Sequence, residues 1–268
     1  MVIDFHTHIF PDKLAEKAIA KLSAIGGIPA LSDGKADGLL KCMQEDGIDI
    51  SVVLNVATNV EQVENVNRFA AFIKEHYPNL IPFGSLHPQS ENPRKIVKAL
   101  KDGGIKGIKL HPDYVETPVD DERFAPVFAA ADEFDMPVVI HAGWDFKSPD
   151  HVHASADAIL KVIGRFPNLK LVCAHFGCNR FWDDVVKKLC GKNLYFDTAI
   201  ACERFGMKRE TAETIIKNHD DEKILFGSDM PWCRAQEVLR FIDSLDIPGE
   251  QKEKIYYKNA KKLLGLPA

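Results

Sequence analysis

Two histidines lie one residue apart near the start of the chain, in the run Asp4-Phe5-His6-Thr7-His8. Side chains alternate between the two faces of a β-strand, so His6 and His8 are predicted to share a face with Asp4. Two adjacent imidazoles can bind a divalent metal, and Asp4 could orient one of them from behind. The alternative is an ordinary pair of surface or core histidines. Further candidate ligands elsewhere in the chain are needed to favour a metal site.

Short runs rich in β-branched residues alternate with charged, helix-like segments along the whole sequence. The runs span residues 2–8, 50–57, 80–88, 104–112, 136–143, 168–177, 193–200 and 223–232. Residues 60–77 and 121–134 have amphipathic helical patterns, and residues 249–266 predict a closing C-terminal helix. This alternation predicts parallel strands joined by crossover helices. Eight such units favour a single-domain (β/α)8 TIM barrel over residues 1–268, with an open doubly wound sheet as the alternative.

Composition excludes several classes of function. The 268 residues carry a formal net charge of −5 and no Lys/Arg block, which argues against nucleic acid as a partner. Six cysteines without a C-x-x-C pair predict reduced thiols and a cytoplasmic location. The sequence also has neither an export signal nor an apolar run long enough to span a membrane. We therefore expect a small-molecule substrate, no nucleic-acid or membrane partner and, among macromolecules, at most a second copy of the chain in a homodimer.

Histidines gather at the ends of the predicted strands. Six of the ten follow a strand: His6, His8, His87, His111, His141 and His175. Strand 8 adds Asp229, and all eight strand ends of a barrel share one rim. Imidazole and carboxylate groups bind Zn²⁺ and, less selectively, Fe, Mn or Co. Such a metal lowers the pKa of a bound water toward about 7, and Asp229 could then act as general base.

These residues together resemble the amidohydrolase superfamily. The matching motifs are Asp4-Phe5-His6-Thr7-His8 on strand 1, His141 on strand 5, His175 on strand 6 and Gly227-Ser228-Asp229 on strand 8. The chain is most similar to the amidohydrolase-related branch, which includes aminocarboxymuconate semialdehyde decarboxylase and dicarboxylate lactonases. The resemblance implies a distorted barrel with one or two divalent metals, preferably Zn²⁺, at the C-terminal mouth.

The resemblance also implies roles for individual residues. His6, His8 and Asp229 would bind the first metal, and His141 would complete that site or serve a second metal. His175 would be the second metal's other ligand or, in a one-metal site, an acid/base and electrophilic residue. The state of Lys109 distinguishes a one-metal site from a two-metal site, because two-metal members of the family carry a carboxylated lysine at this position. Its alternatives are an ion pair at the rim or a cation that holds a substrate carboxylate.

Further residues on the mouth side are candidates for substrate binding. His111 shares the face of Lys109, with substrate contact and loop packing as equal interpretations. Trp144 and Trp232 follow strands 5 and 8 and could form walls of the pocket, since apolar surfaces with a few polar groups are typical of small-molecule sites. Asp197 on strand 7 could support the site from behind. Three arginines in mouth-side loops favour an anionic substrate: Arg180, Arg204 and Arg234.

The leading hypothesis is hydrolysis of a C–N or C–O bond in a small, anionic metabolite. In that reaction Asp229 moves the proton, while His175 or Lys109 stabilises the oxyanion. The alternative is a metal-dependent decarboxylase or hydratase on the same scaffold. A barrel that binds metal without catalysis is the third interpretation, but none of the main site positions is missing from the sequence.

Overall fold

A computed structural model describes residues 1–267, in which eight parallel strands follow one another in chain order around a single sheet. Each predicted run contains one strand, and the strands are shorter than the runs. Their bounds are β1 Ile3–Thr7, β2 Ile50–Leu54, β3 Leu80–Ser85, β4 Ile108–Leu110, β5 Val138–Ile140, β6 Leu171–Cys173, β7 Tyr195–Asp197 and β8 Ile224–Leu225.

Backbone hydrogen bonds join the last strand region to the first. The amide of Phe5 donates to the carbonyl of Phe226 at 2.7 Å, and the amide of Asp229 donates to the carbonyl of His6 at 2.8 Å. The amide of His8 donates to Met230 in the same way. An open doubly wound sheet would leave these edges unpaired, so the (β/α)8 barrel prediction is confirmed.

Helices connect the strands on the outside. Their bounds are α1 Asp12–Gly26, α2 Ala36–Asp46, α3 Val63–His76, α4 Pro93–Asp102, α5 Ala125–Glu133, α6 Ala156–Arg165, α7 Trp182–Asp184, α8 Arg209–Asn218, α9 Ala235–Asp243, α10 Gly249–Glu253 and α11 Asn259–Leu264. A π-helical turn, Lys254–Lys258, joins α10 to α11, so the predicted closing helix is one helical stretch. No helix within residues 1–267 is long and apolar enough to cross a membrane.

Apolar side chains form two layers, as alternation along β5 illustrates. Val138 and Ile140 pack in the larger core between strands and helices, whereas Val139 packs inside the barrel. The interior cluster also contains Leu263 and Leu264 of α11, so the closing helix covers one end of the interior. Apolar filling of the interior confines the polar groups to the other end, where the strands finish.

The first strand departs from simple alternation. Asp4 is in register with Ser51 but Thr7 with Val53, so β1 contains an irregularity between them. As a result, two consecutive side chains point inward: Phe5 packs inside the barrel, and His6 reaches the polar end at Asp229. The predicted role of Asp4 behind a histidine side chain is wrong. Its carboxylate instead accepts hydrogen bonds from the hydroxyl and the amide of Ser228, at 2.5 and 2.9 Å.

Candidate metal centre and its surroundings

Three predicted ligands meet at the carboxyl ends of β1 and β8. Nε2 of His8 lies 3.2 Å from Oδ1 of Asp229, and Nε2 of His6 lies 3.5 Å from the same oxygen. Ligand atoms bound about 2.1 Å from a tetrahedral metal lie roughly 3.4 Å apart, so this spacing suits one ion. All three side chains are buried or nearly so, which protects an ion from bulk water.

Hydrogen bonds from the Nδ1 atoms of His6 and His8 fix the orientation of the two imidazole rings. Nδ1 of His6 donates to Oδ2 of Asp197 at 2.7 Å, and Nδ1 of His8 donates to the carbonyl of Leu54 at 2.9 Å. In a neutral imidazole this leaves each Nε2 without a proton. Two bare nitrogens then face one carboxylate oxygen, a donor set that fits a divalent cation.

Backbone geometry directs Asp229 into this group. The residue has a φ of 74°, in the left-handed region, and the hydrogen bonds from Ser228 to Asp4 hold the preceding residue against β1. Burial by itself would raise the pKa of the Asp229 carboxyl, but attraction to the imidazoles of His6 and His8 in their protonated form outweighs it and holds this pKa well below its usual range, so a proton taken up by the group resides on a ring and not on Asp229. Asp229 is therefore a carboxylate at neutral pH.

Lys109 extends from β4 to the same point. Its Nζ lies 3.3 Å from Nε2 of His6, and its side chain is fully buried. Burial lowers the pKa of Lys109 to about 8, against the opposing charges of Asp197, Asp229 and Asp145. Within residues 1–267 no carboxylate lies within 4.0 Å of its ammonium group, so the structure does not give Lys109 the predicted ion pair at the rim.

His141 and His175 contact each other beside the metal group rather than within it. Nε2 of His175 lies 3.0 Å from Nδ1 of His141, and Nδ1 of His175 donates to the carbonyl of Ala199 at 3.2 Å. The ring centre of His175 lies 5.3 Å from that of His6. A metal role for either residue stays a prediction.

His141 belongs to a second polar group with His111 and Asp145. Oδ2 of Asp145 lies 3.6 Å from Nε2 of His141 and 3.8 Å from Nε2 of His111. The two rings are stacked in parallel, with centres 4.4 Å apart and planes 8° apart. Lone pairs of parallel rings do not converge on a point between them, so this group is better suited to contacting a substrate than to sharing an ion.

Two buried polar atoms in or beside this second group have no hydrogen-bond partner within the described residues: Nδ1 of His111 and Oδ2 of the neighbouring Asp113. Oδ1 of Asp113 is fixed by His153, which donates from Nδ1 at 3.0 Å. Burial raises the pKa of Asp145 to about 6. Sequence reasoning missed Asp113, which lies two residues after His111 in the run His111-Pro112-Asp113 and could have been found there.

Trp144 and Trp232, the two predicted pocket walls, are partly buried in the loops after β5 and β8. The guanidinium of Arg180 stacks on Trp144, 3.5 Å from its ring centre, and makes no carboxylate ion pair in the described part of the chain. The backbone carbonyl of Trp232 accepts a hydrogen bond from Arg204. The other two arginines already have acidic partners: Arg204 pairs with Glu237, and Arg234 pairs with Asp46 and Glu45. Only Arg180 of the three remains open to an anion.

This fold and site define a class of protein: a metal-dependent barrel enzyme with its chemistry at the carboxyl ends of the strands. The family model described as Amidohydrolase matches residues 3–266. The chain therefore belongs to the amidohydrolase family, whose enzymes use divalent metals. The resemblance deduced from the sequence motifs is confirmed.

Three relatives illustrate the range of similarity. The decarboxylase orsB of Emericella nidulans is 20% identical over 307 residues, which cover 89% of this chain and 88% of the relative. The structure of 5-carboxyvanillate decarboxylase from Novosphingobium aromaticivorans, with bound manganese, is 16% identical over 99% of this chain and 97% of the other, with a TM-score of 0.73. That of 2,6-dihydroxybenzoate decarboxylase from Rhizobium is 15% identical over 98% of both chains, with a TM-score of 0.72.

Proposed function

We propose that this protein is a metal-dependent lyase that decarboxylates a small aromatic carboxylate. The observation that carries the proposal is the environment of Lys109. Its ammonium group is buried next to His6 and has no carboxylate partner within the described residues. This favours the non-hydrolytic alternative over hydrolysis, the leading hypothesis from the sequence.

A buried cation without a paired carboxylate is costly, because it has lost water, and the charges of Asp197, Asp229 and Asp145 act on it only from beyond ion-pair distance. A substrate carboxylate at this point would supply the missing charge. The pKa of about 8 leaves Lys109 mainly protonated at neutral pH, so it can act as that cation. A carboxylated lysine would instead be anionic and would repel a carboxylate substrate, so we propose that Lys109 functions unmodified.

His6, His8 and Asp229 would hold the metal, which when bound would supply positive charge for the oxygens of a carboxylate and a neighbouring hydroxyl group. Zinc is the proposed ion, and manganese is the alternative. Asp197 keeps Nε2 of His6 free of a proton by accepting from Nδ1, so the ligand atom is ready at neutral pH. The backbone carbonyl of Leu54 does the same for His8.

Decarboxylation needs a proton at the carbon that loses the carboxylate, and we assign this to Nε2 of His175. Burial lowers the pKa of His175 to about 4, so the ring is neutral at neutral pH and must receive the proton that it passes on. Its contact with Nδ1 of His141 provides a route for that proton. Asp229, a strong anion beside two imidazoles, is better suited to ligation than to donating a proton.

The second polar group would orient the substrate. Nδ1 of His111 lies 3.9 Å from Oδ2 of Asp113, and a substrate hydroxyl group between these two atoms would satisfy both. Trp144 presents an aromatic surface at the entrance, and the guanidinium stacked on it adds positive charge. An anionic aromatic molecule matches both features, and Trp232 is proposed as the opposite wall.

The named relatives support this substrate class, since two of them act on phenolic carboxylates and the third is also a decarboxylase. At 20% identity or less they do not specify the substrate of this chain. They do provide the first compounds to test: 2,6-dihydroxybenzoate and 5-carboxyvanillate.

The test distinguishes the two reactions by isotope incorporation. Metal-loaded protein is incubated with carboxyl-labelled phenolic acids and, separately, with a panel of aromatic lactones and amides, in heavy water and in oxygen-18 water. The proposal predicts labelled carbon dioxide and deuterium on the carbon that lost it. Turnover of a lactone or amide that introduces oxygen-18, without release of carbon dioxide from the acids, would overturn it in favour of hydrolysis.

A further inference from the structure

A second group of potential metal ligands lies away from the proposed catalytic centre. Cys202 follows β7, Cys233 follows β8, and Glu237 is in the first turn of α9. One ligand atom from each residue lies within 4.8 Å of the other two. We propose that these three residues form a separate site for a thiophilic divalent cation, with Zn²⁺ as the natural candidate. The inference does not rest on the proposed reaction.

Spacing of the donors supports this site. Sγ of Cys202 lies 3.3 Å from Oε1 of Glu237, and Sγ of Cys233 lies 3.8 Å from Oε2. A tetrahedral Zn²⁺ with sulfur at about 2.3 Å and oxygen at about 2.1 Å places sulfur and oxygen roughly 3.6 Å apart. The two observed distances lie on either side of this value. Two thiols that share one carboxylate are therefore close to the arrangement that an ion requires.

Charge balance also supports it. Nε of Arg204 donates to Oε1 of Glu237 at 3.0 Å, so the group already includes one cation and one anion. Binding would exchange two thiol protons for the metal: Zn²⁺ plus two thiols gives two coordinated thiolates and two released protons. The charges of the ion, two thiolates, Glu237 and Arg204 then sum to zero, which is the condition for a buried cluster of low desolvation cost.

Both sulfurs are buried, whereas Arg204 and Glu237 are partly exposed at 43% and 35% of their side-chain surface. Glu237 of this ion pair contacts both thiols, and a shift of the two partly exposed side chains would admit an ion. A bound ion would join the loop after β7 to the loop after β8. Cys233 directly follows Trp232, so it would also fix that wall of the entrance.

Cobalt titration tests the proposal, because a thiolate bound to Co²⁺ gives a near-ultraviolet charge-transfer band that histidine and carboxylate ligands do not give. We expect the reduced wild-type protein to develop this band with one equivalent of Co²⁺, and the same step to release two protons. The double variant C202S/C233S should lose the band and that equivalent. C190S, which removes a partly buried cysteine elsewhere, should keep both.

The catalytic centre is tested in the same titration by H8Q. This variant should lose the equivalent of Co²⁺ that binds without a thiolate band and keep the equivalent that gives the band. The two sites are therefore tested independently. E237Q gives a second test that leaves both cysteines in place, and it should weaken the banded step. A wild-type protein without a thiolate band, or a band that survives in C202S/C233S, would overturn the proposal.

Discussion

Nδ1 of His6 lies 2.7 Å from Oδ2 of Asp197, a residue 191 positions later in the chain. This contact between β1 and β7 sets the tautomer of a proposed metal ligand from behind. The same carboxylate accepts from the backbone amide of His175 at 2.9 Å, so Asp197 fixes two residues of the site at once.

Replacing Asp197 by Asn should therefore weaken metal binding without removing a ligand. We expect the dissociation constant for Mn²⁺ to rise about 10- to 100-fold, the usual cost of losing a carboxylate behind a ligating histidine. Isothermal titration of D197N beside wild type measures this. D183N, which neutralises an exposed carboxylate, is the control. Equal affinity in D197N and wild type would show that Asp197 does not support the ligand.

Lys109 should determine binding of the substrate carboxylate. K109M keeps a side chain of similar length but removes the buried charge, so we expect at least about 10-fold weaker binding of a phenolic carboxylate. Methyl esters of the same compounds should bind K109M and wild type alike. The control is K106M, an exposed lysine three residues earlier. Undiminished carboxylate affinity in K109M would contradict the role of Lys109 as substrate cation.

His175 should contribute to proton transfer and not to metal binding. H175Q is expected to lower kcat for a decarboxylated substrate by about 10²- to 10⁴-fold, the range for a missing general acid. Its Mn²⁺ stoichiometry should equal that of wild type, because His175 lies outside the group of His6, His8 and Asp229. Loss of an equivalent of metal in H175Q would instead assign His175 to a ligand set, the other role that the resemblance implied.

The buried residue His219, which is remote from the candidate metal centre, should make the stability of the fold depend on pH. Burial lowers its pKa from 6.5 to about 4, and its ring accepts from the amide of Gly191 and donates to the carbonyl of Leu194. Between pH 6.5 and 4 the unfolded chain takes up a proton that the folded protein does not. The free energy of unfolding should therefore fall over this range, by about 3 kcal/mol from this residue.

Urea unfolding of wild type and H219Q across that range isolates the contribution. H219Q should be less stable at neutral pH, because it loses hydrogen bonds, but its stability should fall less on acidification. H76Q, which removes an exposed histidine, should keep the full wild-type dependence. If H219Q and wild type lost the same free energy between pH 6.5 and 4, His219 would not be held neutral by the fold.

The barrel and its rim were predictable because they depend on periodicity. Strand–helix alternation requires parallel strands, and parallel strands bring every strand end to one rim. That is why Asp229 could be predicted to meet His6 and His8 there, although it lies more than 200 residues after them in the chain. Side-chain chemistry at strand ends then suffices to indicate a metal.

Local departures from periodicity could not be predicted. The irregularity in β1 brings the carboxylate of Asp4 to Ser228, which strand alternation does not predict, whereas Asp197 supports His6 as its position on strand 7 had indicated. The turn of His141 toward Asp145 depends on loop geometry after β5, where no repeating pattern exists. Ion pairs of Arg204 and Arg234 with acidic residues depend on helix packing, so counting arginines overstated the positive charge of the entrance.

The central claim is that His6, His8 and Asp229 hold the catalytic metal. An anomalous difference map from crystals grown with Mn²⁺ tests it most directly, because it locates the ion independently of activity. We predict a peak in contact with Nε2 of His6, Nε2 of His8 and a carboxylate oxygen of Asp229. A protein that binds Mn²⁺ in solution but has no peak at these three residues would contradict the account.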